Sequence, residues 1–177
     1  SLKRNLENKK LRDEKSTMGY QQEFRKISMD LNNDLNFDEW ADLYKNLVRW
    51  ELELQKSTDE GIKGILADQK QEANTQFTRY IERNYIDWIQ GKSEKPVMSH
   101  TVVRDKVIPR LDENDKPLFL IVIDNLRYDQ WKAIQPLIET YFRVEADDIY
   151  YSILPTTTQY ARNSLFAGLM PLEIRRR

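Results

Sequence analysis

The sequence predicts an all-α N-terminal part followed by the beginning of an α/β sheet domain. Three observations carry this. Up to about residue 95 the apolar residues recur at helical steps, with capping signatures between the helical stretches. The run Leu118-Phe119-Leu120-Ile121-Val122-Ile123 is continuously apolar and ends on Asp124, as a strand buried on both faces does. Farther on, Ile153-Leu154-Pro155-Thr156-Thr157-Thr158 leads into a helical stretch closed by Gly168, which gives a β-α-β-β-α order. The division predicted is 1–95 for a three-helix bundle and 96–177 for the first part of the sheet domain.

Composition sets the outer bounds. The 177 residues are 40% hydrophobic and 32% charged, a mix that suits a strongly solvated helical part joined to a more apolar one. There are 28 basic and 29 acidic residues, so the net charge of −1 gives no electrostatic case for nucleic acid or an acidic membrane. Cysteine is absent, which excludes disulfides and thiolate chemistry. No apolar run approaches the ~20 residues that span a bilayer, and no signal peptide is visible. A cytoplasmic location is therefore expected. The chain begins at Ser1 without Met and stops at Arg175-Arg176-Arg177, so both ends are expected to be cuts within a longer protein.

Taken in order, the first stretch runs from Leu2 to about Leu35. Leu2, Leu6, Phe24, Ile27, Leu31 and Leu35 share one helical face. Gly19 interrupts it, at a cost of ~1 kcal/mol against alanine. Asn36, with Glu39 three residues on, is a capping box for a second helix. Trp40, Leu43, Leu47, Trp50 and Leu54 then alternate three- and four-residue steps, a narrow seam suited to helix packing or to a partner. Ser57-Thr58-Asp59-Glu60 repeats the cap. A third helix, about Asp59 to Gln90, presents Ile62, Leu66, Ala73, Phe77, Tyr80, Ile81, Tyr85, Trp88 and Ile89, and Gly91 closes it. These three helices predict an antiparallel bundle.

After Pro96, a short helix is expected from Ser99 until Pro109 ends it. A polar turn precedes the first strand. A helix from Asp129 to Tyr141 follows, with Trp131, Ile134, Leu137 and Ile138 inward and a kink or break at Pro136. Phe142–Ala146 and Ile149–Leu154 read as further strands.

Four sets of residues carry candidate chemistry. Asp124 closes a strand, where open sheets bind ligands, and offers an anionic oxygen to a metal. Taken alone, an Asx turn or helix cap is the commoner role. Thr156, Thr157 and Thr158 stand at a helix start, where backbone N–H groups and the dipole favour anions. One of them is placed for attack on phosphorus if a base or metal takes its proton; a plain threonine N-cap is the commoner reading. Arg127 and Arg162 can clamp phosphate oxygens, although arginines near helix starts are more often solvated. His100, the only histidine, is more often a surface or capping residue than a catalytic one.

The combination of Val122-Ile123-Asp124-Asn125-Leu126-Arg127-Tyr128-Asp129-Gln130-Trp131 with Pro155 to Pro171 resembles the PglZ family of the alkaline phosphatase superfamily. Nearly the whole chain is similar to PorX-type response regulators of the type IX secretion system, in which a three-helix bundle precedes a PglZ-type domain. The resemblance implies an alkaline-phosphatase-like sheet and a zinc cofactor with Asp124 as a ligand. It implies a nucleophile at Thr158, counted from Pro155, with Thr157 as the rival and with the Thr158 hydroxyl also on the metal. Asn163, one turn on, would reach a phosphoryl oxygen beside Arg162 and Arg127. After Thr158 there is neither Asp nor His, so the superfamily's ligand set is incomplete within these residues.

The implied function is the output of a cytoplasmic two-component response regulator. It would be a zinc-dependent phosphodiesterase or phosphatase acting on nucleotides or oligonucleotides. A sensor histidine kinase and an extracytoplasmic-function sigma factor are the implied protein partners. The rival reading is non-catalytic: the bundle and the phosphatase-like part dock such partners through the Trp40–Leu54 seam. Internal packing is the commoner fate of such a seam. A partial parallel sheet leaves an open edge, so instability of the isolated piece or association through that surface, as in a homodimer, is also expected.

Overall fold

The computed structural model describes residues 2–112 and 117–176. They divide into two compact units, Ser1–Lys92 with Leu126–Arg143, and Ser93–Asn125 with Val144–Arg177.

The first unit is built on three long helices, α1 (Leu2–Leu31), α2 (Phe37–Leu54) and α3 (Glu60–Gln90). Local chemistry sets their ends. The Asn36 side chain accepts from the N–H groups of Asp38 and Glu39 at 2.9 and 3.0 Å. The Glu39 carboxylate accepts the Asn36 N–H at 2.8 Å, which completes the capping box. Asp59 accepts the Ile62 N–H at 3.2 Å and starts α3. Gly91 ends it with φ 66°, a left-handed conformation that only glycine adopts cheaply.

The seam of α2 faces inward. Trp40, Leu43, Leu47, Trp50 and Leu54 are all buried. The Trp40 ring meets Phe77 and Tyr80 of α3 at 5.3 and 5.9 Å, and Tyr80 continues to Trp88 at 5.6 Å. Trp50 meets Tyr20 of α1 at 5.6 Å. Burying such rings is the largest apolar contribution in a small bundle. The seam is thus spent on internal packing.

The helix α5 (Tyr128–Ile138) belongs to this unit and lies along α2, where the Tyr44 and Tyr128 rings are 5.8 Å apart. Pro136 lies inside it without breaking it, two residues before its end. Its intended inner face stays largely uncovered, with Ile134, Leu137 and Ile138 all exposed.

The second unit has a small core of Met98, Ser99, Thr101, Ile153 and Ser164. Met98 and Tyr151 form an isolated parallel bridge: the Tyr151 N–H donates to Val97 O at 2.8 Å and the Ser99 N–H to Tyr151 O at 3.0 Å. The Ser99 hydroxyl accepts the Ile153 N–H at 3.1 Å, which ties the same two segments by a side chain. A π-helical turn, Val103–Val107, runs into α4 (Ile108–Asp112). Ile108 reaches back to Val103 O, so the chain widens just before Pro109, which has no N–H to return. Pro109 therefore does not end this helix, contrary to the expectation from sequence. Two further helices, α6 (Thr158–Ala167) and α7 (Pro171–Arg176), complete the unit.

The parallel sheet predicted from the sequence is not formed among the described residues. Neither Leu118–Ile123, Phe142–Ala146 nor Ile149–Leu154 is a strand, and the Met98–Tyr151 bridge is their nearest approach to one. The apolar run Leu118 to Ile123 lies in neither helix nor strand and is exposed throughout. The reason is non-local: a parallel strand is stable only with paired neighbours and with helices over both faces.

Candidate functional site

Asp124 lies in a turn directly after the apolar run, and Asn125 turns the chain with φ 61°. Asparagine tolerates that left-handed conformation because its short polar side chain bonds locally. Asp124 does not cap the helix that follows, since the N-cap of α5 is Arg127. Its carboxylate is solvent-exposed and meets the Arg162 guanidinium at 3.5 Å.

Arg162 belongs to α6, the helix that opens with the threonine run. Thr157 is the N-cap, with φ −62° and ψ 142°, and its carbonyl accepts the N–H groups of Tyr160 and Ala161, both at 2.9 Å. Its side chain makes no capping bond. Thr158 is the first helical residue, and its N–H is among those that position leaves without an intrahelical acceptor. Thr156, Thr157 and Thr158 are all exposed, as are Arg162 and Asn163. The Leu154–Pro155 peptide before them is cis. Gly168 closes α6 with φ 65°.

Arg162 is one turn beyond Thr158 on α6, so both project on the same side of the helix. Its contact with Asp124 therefore brings that carboxylate to the helix that begins with the candidate nucleophile. Tyr150 adds a residue that sequence reasoning missed. Burial raises its phenol above the ordinary value, and the Asp124 charge raises it further. No local pattern flags Tyr150, because its relation to Asp124 is set by the fold.

Arg127 falls in the first unit, where its guanidinium binds the Asp129 carboxylate through two bonds of 3.0 and 2.8 Å. That bond holds the Asp129 carboxyl below the usual carboxylate range. His100 lies in the second unit, with its Nδ1 buried.

Asp124 and the Thr158 hydroxyl offer two oxygen donors, short of the four that zinc takes. Among the described residues no group of three or more His, Cys, Asp and Glu side chains could hold a metal ion. These residues alone therefore do not make a zinc site. A cleft of about 530 Å³ in the first unit, lined among others by Phe24, Ile65 and Gln69, contains none of the candidate residues.

Residues 10–89 match the family model of the PorX response regulator linker domain. Residues 102–177 match that of the BREX system PglZ alkaline phosphatase-like domain. No curated protein matches the chain to a significant degree. Among the described residues no helix is long and apolar enough to cross a membrane.

Proposed function

Because the chain is of PorX type, a response-regulator linker joined to a PglZ alkaline phosphatase-like region, we propose that it serves phosphoester hydrolysis as the output of a two-component regulator of type IX secretion in the cytoplasm. The substrates on this reading are nucleotides or oligonucleotides. The observation that carries it is the Asp124–Arg162 contact at 3.5 Å, which gathers a carboxylate, a guanidinium and the Thr158 helix start in one place.

Each residue then has a role. Thr158 attacks phosphorus through its hydroxyl. The N-terminal N–H groups of α6 and its dipole favour the phosphoryl oxygens. Arg162 offers a two-pronged cation to the same oxygens, and Asn163 offers an amide. Asp124 would be one ligand of a zinc ion, which when bound lowers the pKa of a coordinated hydroxyl and stabilises negative charge. The apolar run Leu118–Ile123 is the first strand of the phosphatase-like sheet on this reading. The bundle carries the signal from the regulator to this output. With its seam buried, docking of a sensor kinase or a sigma factor through the seam has no structural support.

The test is hydrolysis of an aryl phosphodiester by the full-length protein with zinc, and again with the zinc removed by a chelator. Activity that needs zinc and vanishes in Thr158→Ala supports the reading. A fully metallated protein without activity overturns it.

A further inference from the structure

The cleft of about 530 Å³ in the first unit is a groove between α1 and α3. Phe24, Ser28 and Leu31 line it from one face of α1, at steps of four and three residues. Ile65, Asp68, Gln69 and Glu72 line it from one face of α3. The buried Gln69 amide donates to the Phe24 carbonyl and the Ser28 hydroxyl at 3.1 Å, which ties the two walls together. Phe24 is 37% and Ile65 45% exposed, although the α2 seam of the same bundle is buried. Among the described lining residues the charged ones are Asp68 and Glu72, both exposed. They stand one turn apart on α3, where like charges weaken an isolated helix, and no lysine or arginine among the described lining residues offsets them.

We propose that this groove docks a basic amphipathic helix of a protein partner. Apolar residues of that helix cover Phe24 and Ile65, and two lysines or arginines one turn apart on its flank meet Asp68 and Glu72. Charge complementarity selects this occupant. Two carboxylates one turn apart call for two cations at the same pitch, which a facing helix supplies and a single small ammonium ion does not. The partner's cations also relieve the repulsion between the two carboxylates, and the same acidic rim rejects an acidic helix. The shape agrees. A fourth helix joins a bundle along the groove between two of its members. The volume lies within the roughly 300–1,000 Å³ of ligand clefts, room for several apolar side chains. The docking is independent of the phosphoester reading, since it uses none of the residues assigned to hydrolysis.

The experiment is fluorescence anisotropy of the full-length protein with a labelled synthetic peptide of about eighteen residues, long enough to be helical. It carries leucine at the a and d positions of its heptads and lysine at e and g, and a twin carries glutamate for lysine. The lysine peptide should bind saturably and the glutamate peptide should not. Asp68→Asn with Glu72→Gln should weaken the lysine peptide roughly three- to tenfold, the loss of two exposed ion pairs. Ile65→Ser should weaken it about tenfold. Asp68→Lys with Glu72→Lys should reverse the preference between the two peptides. The same charge change at exposed positions of α2 outside the cleft, Asp42→Lys with Glu53→Lys, should leave binding near wild type. All these positions are exposed, so the melting temperatures should hold. No saturable binding to the wild type overturns the proposal, as does an equal loss in the α2 control, which would make the attraction one of general charge. Self-association that Ile65→Ser abolishes, without peptide binding, puts a second copy of the chain in the groove and overturns it too.

Discussion

The phenol of Tyr20 on α1 donates to the side-chain oxygen of Gln69 on α3 at 2.9 Å, in the interior of the bundle. The Gln69 amide nitrogen donates on to the Phe24 carbonyl and the Ser28 hydroxyl, both at 3.1 Å. Burial pushes the Tyr20 phenol up to about 12, so it remains a donor at any physiological pH. Apolar side chains slide past one another with little penalty, whereas these bonds form in one register of α1 against α3.

Breaking this network from one side should cost more than removing it whole. Gln69→Leu leaves the Tyr20 hydroxyl buried without its acceptor, for a loss of about 1–3 kcal/mol. Tyr20→Phe should cost about as much by stranding the Gln69 oxygen. The double variant should be less destabilised than the sum of the two. Urea denaturation of the set as a double-mutant cycle reads the difference; strict additivity would show that the two side chains act independently.

The two mid-helix glycines should respond differently to alanine. A Cβ on Gly19 would lie 3.0 Å from Cη2 of Trp50, a ring already held by Tyr20 and by the Arg49 guanidinium at 4.7 Å. The gain in helix propensity of ~1 kcal/mol is then set against overpacking of about 1–3 kcal/mol. Gly64 has nothing within 4 Å, so Gly64→Ala should keep its whole gain. Thermal melts should show Gly64→Ala raised and Gly19→Ala unchanged or lowered.

These glycines show how far the sequence could be read. Gly19 looks like an interruption of α1, yet it gives the Trp50 indole its close approach, which no spacing within α1 reveals. The bundle itself was legible because its signals are local. Asn36 and Glu39 cap within one turn, and the Trp40–Leu54 seam needs only a helical period. The apolar run Leu118–Ile123 also has a clear local signal, but a parallel strand needs partners from elsewhere, so here it forms no ladder. The site divides in the same way. Thr157 and Thr158 were readable as a helix start. The contacts of Asp124 with Arg162 and its influence on Tyr150 depend on the fold alone.

The stability of the second unit should fall in mild acid. Burial, followed by the charge of Lys95, lowers the His100 pKa below 6.5. Arg104 also lowers it, while Glu173 and Asp105 act the other way. The folded protein therefore keeps His100 neutral at pH values where the unfolded chain already takes up a proton. Unfolding then binds a proton, so stability is full above pH 6.5 and declines as pH falls through 6.5 towards the folded pKa. Because His100 is the only histidine, its proton NMR resonance reports the titration directly. Thermal melts between pH 5 and 8 should slope for the wild type and flatten for His100→Gln. A folded His100 pKa at or above 6.5 would contradict the sign.

The rivalry between Thr157 and Thr158 for the attacking hydroxyl can be decided by separating stability from rate. Thr157 supplies its backbone to the cap and its side chain makes no capping bond. Thr157→Ala should therefore cost less than the ~1 kcal/mol usual for a threonine cap. Thr158 at the first helical position has no capping duty for its hydroxyl to lose, so Thr158→Ala should also melt near wild type. The two variants should part on hydrolysis. Loss of a nucleophile removes the covalent route altogether, so Thr158→Ala should fall by at least about a hundredfold in kcat, while Thr157→Ala stays within a few-fold. Thr158→Ser, which keeps a hydroxyl at the same place, should recover most of the rate. The reverse order of the two alanine variants would move the nucleophile to the cap itself, and a rate unchanged in both would remove the threonine run from the chemistry.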